Sequence, residues 1–270
     1  MLIRYGHDIT LSFPQETPLV LMTECRSERQ FDLRGPSQVE TEPAVPSHVY
    51  ADAFGNSCRR VLAPAGRFRI THDALIEADD RPDSESPGLA QTPVADLPDE
   101  VLGFLLGSRY CETDRLSQTA WDMFGNTAPG WARVQAVVDY VHSHIRFNYQ
   151  NARYTRTAYE AWQEQTGVCR DFAHLAIALC RCLNFPARYV NGYLGDIGVP
   201  AGGPMDFAAW MEVWMDGRWH TFDPRNNARR IGRIVVAYGR DAADVPLIHS
   251  FGPHVLEGFT VWADEVRQAA

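Results

Sequence analysis

The chain has no lysine; all 25 of its basic side chains other than histidine are arginines. A Walker-type phosphate loop needs a lysine to reach the phosphates, so that class of nucleotide site is excluded. No apolar run approaches the roughly 20 residues needed to span a bilayer. The opening Met1-Leu2-Ile3-Arg4-Tyr5-Gly6-His7-Asp8 lacks the basic start and apolar stretch of a secretory signal. These absences predict a cytoplasmic protein with no membrane partner. The six cysteines (Cys25, Cys58, Cys111, Cys169, Cys180, Cys182) form no Cys-x-x-Cys pair and no disulfide-scaffold density, which predicts reduced thiols. There is no His-Glu-x-x-His pattern and no compact ligand spacing, so neither a metal nor a cofactor is expected. With a net charge of -9 and arginines dispersed among acids, the chain repels phosphate backbones and predicts no nucleic-acid partner.

What is present divides in two. From Leu2 to about Ile76 the text is strand-like: Ile9-Thr10-Leu11-Ser12-Phe13 and Phe68-Arg69-Ile70-Thr71-His72 alternate apolar with polar residues. A Gly55-Asn56 step between two strand-like stretches predicts a hairpin. Between Glu77 and Glu100 the composition turns to Asp, Glu, Pro and Ser, the signature of a linker. The period then becomes helical, most clearly where Val134, Val137, Val138, Val141 and Ile145 recur at spacings of three and four. A further helix is expected from about Gly167 to Leu183. Strands are expected in Arg188–Leu194, Ala209–Trp214 and Arg218–Asp223, the last two joined by a Met215-Asp216-Gly217 turn. The reading is an α+β protein: a β-domain over residues 1–78, a linker over 79–98, and a helix-and-sheet core with a C-terminal extension over 99–270.

Cys169 stands where the long helix begins. A thiol becomes a good nucleophile as thiolate, and the unpaired N–H groups of a first helical turn favour that charge, so a lowered thiol pKa is expected. Gly167 permits close backbone approach. Cys180 and Cys182 lie about three turns further on and read as packing residues.

The run Thr166-Gly167-Val168-Cys169-Arg170-Asp171-Phe172-Ala173-His174, with Phe185-Pro186-Ala187-Arg188-Tyr189-Val190-Asn191-Gly192-Tyr193, resembles the core of the bacterial transglutaminase-like superfamily. The likeness continues through Met205-Asp206-Phe207-Ala208-Ala209-Trp210 and Trp219-His220-Thr221-Phe222-Asp223-Pro224-Arg225-Asn226, covering roughly residues 130 to 240. It implies a papain-like core, a Cys-His-Asp triad and action on a peptide or protein substrate. Cys169 matches the nucleophile and Asp223 the acid that orients the histidine. The histidine position, two residues before Trp210, is occupied by Ala208. A methyl group neither takes a thiol proton nor protonates a leaving amine. Three accounts stay open: an alanine introduced to silence the enzyme, natural loss of chemistry, or another base serving Cys169. His174, His220, His249, His254 and Asp171 are the other titratable groups to weigh. His174 is rotated away along the helix, and His220 points to the strand face opposite Asp223.

Tyr149 is a candidate for an oxyanion contact, and Trp210, sharing a strand face with Trp214, for a groove wall. Two functions follow: a cysteine amidase, peptidase or acyl transferase on peptide amides, with hydrolysis the simpler outcome, or a non-catalytic peptide- or protein-binding module using the same cleft. Lacking lysine, the chain cannot crosslink itself through side-chain amines.

Overall fold

The computed structural model describes residues 1–203 and 205–266. Strands β1 (Leu2–Phe13), β2 (Thr17–Leu21), β3 (Val39–Glu42), β4 (Ser47–Ala51), β5 (Ser57–Ala63) and β6 (Gly66–Glu77) open the chain. In β6 every second residue from Phe68 to Ile76 is buried, the mark of a strand with one wet and one packed face. The expected hairpin joins β4 to β5 antiparallel. Gly55 takes φ +73° there, and the Asp52 carboxylate accepts the N–H groups of Phe54 (2.8 Å) and Asn56 (2.9 Å).

Helices α1 (Asp99–Leu102), α2 (Thr113–Phe124) and α3 (Trp131–His144) follow, then β7 (Arg146–Phe147), α4 (Ala158–Glu164), β8 (Thr166–Gly167) and α5 (Cys169–Cys182). Next come β9 (Ala187–Tyr193), β10 (Ala208–Met215), β11 (Arg218–Phe222), β12 (Ile234–Gly239), β13 (Ile248–Ser250) and β14 (Val255–Glu265). Strands β11-β10-β9-β12 form one antiparallel sheet. Helix α5 lies on it, buried at every residue from Asp171 to Cys182, with α2, α3 and α4 packed around it. That is the expected α+β papain-like layering. Between β10 and β11, Asp216 and Gly217 both take positive φ (50° and 74°), as a two-residue hairpin matching strand twist requires.

The C-terminal residues do not stay with the core that precedes them. β14 pairs with β1, and β13 with β2, so the N-terminal sheets run β14-β1-β6-β3 and β13-β2-β5-β4. Pairing across the whole chain length leaves no trace in local periodicity, so residues 248–265 read only as a C-terminal extension following the core. The two parts are bolted together. Buried Asn56 accepts the Tyr238 N–H at 2.8 Å and donates to the Tyr238 carbonyl at 2.7 Å, and Tyr193 donates its hydroxyl to the Thr23 carbonyl at 2.9 Å. The acidic linker is tied down too: Asp83 holds Arg233, and Gln91 donates to the Leu183 carbonyl at 2.9 Å.

Candidate active site

A parallel contact between β7 and β8, Phe147 opposite Gly167, brings the residues after β7 alongside the start of α5. Asn148 N–H donates to the Gly167 carbonyl at 2.9 Å, and the next residue, Tyr149, stands at the mouth of a cleft with Cys169 in its wall. Met205 to Ala209, leading into β10, also line it, with Leu194, Asp196, Arg225, Asn226 and Arg230 among the other lining residues. Its volume of about 570 Å³ falls in the range of small-ligand and peptide side-chain sites.

Cys169 is the first residue of α5 and partly exposed. Asp171 caps that end of the helix: its Oδ2 accepts the Val168 N–H at 2.9 Å and an Arg156 N–H at 3.1 Å. Gly167 is required because of this carboxylate, since a Cβ there would lie 2.6 Å from the Asp171 Cβ. Backbone N–H groups of Ala209 and Arg170 point at the Cys169 sulfur. Their pull is outweighed. Burial first, then the carboxylates of Asp206 and Asp223, push the Cys169 thiol up to about 11, the opposite of the lowered pKa expected from a helix start. The helix-end argument counted the dipole and omitted two anions that only the fold brings near.

Ala208 opens β10 opposite Gly192, and it lines the same cleft as Cys169. Asp223, at the end of β11, is nearly enclosed. Its carboxylate accepts the Asn226 N–H at 2.9 Å, the Asn226 side-chain amide at 2.8 Å and Arg233 Nη2 at 2.9 Å. Arg233 also grips Asp83 and lies over the Trp210 ring, 4.8 Å from its centre. Trp210 is fully buried beneath that guanidinium rather than walling the cleft, and Trp214 belongs to a separate aromatic recess with Phe104 and Trp219. Strand alternation put both on one face; it had no means of showing that Arg233 covers the first of them.

Tyr149 is 53% exposed and packs edge-on against Phe147. Its hydroxyl lies 3.4 Å from Asp206 Oδ2, a long contact, and burial together with the Asp206 and Cys169 charges pushes its pKa up to about 12, so it stays a donor. Asp206 is the residue that motif reading passed over. Its carboxyl pKa is raised, chiefly by burial, against hydrogen bonds from the Phe207 N–H and Tyr149. The signal was its place in Met205-Asp206-Phe207-Ala208, two residues before the vacant histidine position.

None of the histidines considered as a replacement base lines this cleft. His174 stacks on Tyr110 and accepts the Ala242 N–H at 3.1 Å; His220 is buried against Trp131 beside the Met215 carbonyl. His249 lies in β13 beside Phe251, and His254 beside Phe13. Among the described residues no group of three His, Cys, Asp or Glu side chains is placed to hold a metal ion, and no helix is long and apolar enough to cross a membrane.

Residues 117–224 match the sequence model of the transglutaminase-like superfamily. The chain superposes on the crystal structure of a candidate cysteine protease from Cytophaga hutchinsonii with a TM-score of 0.88, at 27% identity, over 100% of this chain and 92% of that one. An uncharacterised protein of Mycobacterium leprae is 28% identical over 77% of this chain and 77% of its own length. Another, from Mycobacterium tuberculosis, is 29% identical over 90% of this chain and 82% of its own. The N-terminal and C-terminal strands are therefore shared with the bacterial structure and are not peculiar to this chain. Matching motif, superposable fold and cleft together make residues 117–224 a transglutaminase-like domain on a papain-like core.

Proposed function

We propose that the protein is a cysteine-dependent acyl-transfer enzyme that hydrolyses peptide or side-chain amides through Cys169. The observation that supports this best is the convergence on one sulfur: it opens to a cleft at the first turn of a buried helix, with the Ala209 and Arg170 N–H groups aimed at it. Donors in that position stabilise negative charge as it moves from sulfur to a carbonyl oxygen. Water is the simpler acceptor of the acyl group, because transfer to an amine needs a second site. The likeness to a candidate cysteine protease agrees with this chemistry.

A second reading, a peptide-binding cleft without turnover, is favoured by Ala208 and by a thiol held protonated at neutral pH. Amine release from a panel of peptide amides separates the two, using the natural chain, Cys169→Ala and Ala208→His. Turnover that Cys169→Ala abolishes, and that Ala208→His raises by about a hundredfold or more, supports the enzyme. If all three are inert and the peptides still bind, the enzyme reading is wrong.

A further inference from the structure

Given the reading of Cys169 as nucleophile, its proton must go somewhere, and the histidine position offers only a methyl group. The groups that face the cleft are Tyr149, Asp196, Asp206, Arg225 and Arg230, with Asp223 behind Asn226. Arginines are not bases at neutral pH, and Tyr149 is held protonated. Asp196 is paired with Arg230 at 3.2 Å, and Asp223 is saturated by Asn226 and Arg233. Asp206 differs from both. It has no arginine partner among the described residues, its Oδ1 is fixed by the Phe207 N–H at 2.7 Å, and its Oδ2 meets only the long Tyr149 contact. It lines the same cleft as Cys169 and Ala208, and it is the carboxylate that most strongly opposes the Cys169 thiolate. Phe207, buried and packed at a tilt with its ring centre 4.6 Å from that of Tyr193, pins the backbone next to it.

We propose that Asp206 is the general base for Cys169, taking from a neighbouring position the part that a histidine at 208 would play. As the sulfur attacks the carbonyl carbon, the S–H bond breaks and its proton passes to Asp206 Oδ2; the carbonyl π electrons move onto oxygen. Collapse of that intermediate breaks the C–N bond, and the leaving amine takes the proton back from Asp206. Water then attacks the thioester and gives a proton to Asp206. The departing sulfur recovers it, leaving a free acid and the enzyme as it began. The raised pKa of Asp206 brings its basicity nearer the working pH, which a general base needs.

The two roles open to Asp206 predict opposite signs, which makes a sharp test. As a mere neighbouring charge it suppresses the thiolate, so Asp206→Asn lowers the thiol pKa and speeds every reaction of Cys169 at pH 7. As the base it is needed for acylation, and the same change slows it. The probe is p-nitrophenyl acetate, whose burst of p-nitrophenol reads acylation without an amine to protonate, beside iodoacetamide alkylation from pH 6 to 11. The expected result is that Asp206→Asn shifts alkylation to lower pH but cuts the acylation rate at pH 7 by about a hundredfold. Asp206→Glu, which keeps the carboxyl, recovers at least about tenfold of that loss. Asparagine preserves the volume and the Oδ1 acceptor for Phe207, and matched thermal melting verifies the fold. Acylation by Asp206→Asn at the natural rate or faster overturns the proposal and leaves Cys169 as nucleophile. A burst that survives in Cys169→Ala overturns the nucleophile reading itself, and Asp206 falls with it.

Discussion

At Cys169 two opposing effects meet in one sulfur. A helix N-terminus typically stabilises a nearby anion by about 0.3 to 1 kcal/mol, and up to about 2 in a partly buried setting. Burial beside two carboxylates acts the other way and prevails, leaving the thiol near 11. In a Cys-His pair the imidazolium would supply the missing positive charge; among the described residues no histidine lines the cleft. The folded protein should therefore alkylate slowly at pH 7, with rate rising through pH 9 and 10 and an apparent midpoint near 11 at Cys169. Iodoacetamide labelling read by peptide mass spectrometry checks this. Cys111, enclosed and pushed up to about 12, and Cys180, enclosed and pushed well above the ordinary thiol range by burial, label only after unfolding. A Cys169 midpoint at or below about 8 would show that the helix end governs after all.

Among the elements, Arg233 joins three that are distant in sequence: Asp83 of the linker, Asp223 after β11, and Trp210 of β10. Its side chain is only 8% exposed, so replacing it strands two carboxylates away from water. Arg233→Met is expected to cost about 3 to 5 kcal/mol in chemical denaturation, the range for breaking a buried ion pair from one side. A loss below about 1 kcal/mol would mean that Asn226 alone holds Asp223. This network also marks where the sequence stopped being readable. Helix α5, strands β9 to β11 and their turn were legible because a buried helix and a half-buried sheet impose local periods, and the turn's Asp216-Gly217 meets a dihedral requirement. Cys169, Ala208 and Asp223 were legible through motif. Arg233 over Trp210, Asp206 in the cleft of Cys169 and the anchoring of Asp83 were not, since each depends on side chains that only tertiary packing brings together.

The molecule as a whole closes on itself. Strand β14 returns across nearly the full chain to pair with β1, burying Val261 and Ala263 and sending the Trp262 indole N–H to Asp73 at 3.0 Å. It also backs the cleft. The segment 196–201, several of whose residues line the cleft with Cys169, borders a recess shared with Ala263 to Glu265, and Gly195 approaches so closely that any Cβ there would collide with the Ala263 carbonyl. The strand lies outside the family-matched segment 117–224, yet it supports the wall on which Leu194 and Asp196 stand. Ending the chain after Gly252 removes this brace and leaves β1 with an unpaired edge. Two buried side chains and a ladder of backbone hydrogen bonds are lost together, a cost of roughly 4 kcal/mol or more by the usual scale of core truncations. For a chain of this size that corresponds to a fall in melting temperature of about 10 °C. Scanning calorimetry of the truncated and full chains gives the comparison, with iodoacetamide labelling of Cys169 alongside. The truncated chain should melt earlier and label Cys169 faster at pH 7, because a loosened wall admits water and relieves the burial that holds the thiol protonated. Unchanged melting and labelling would show that the core carries its cleft without β14.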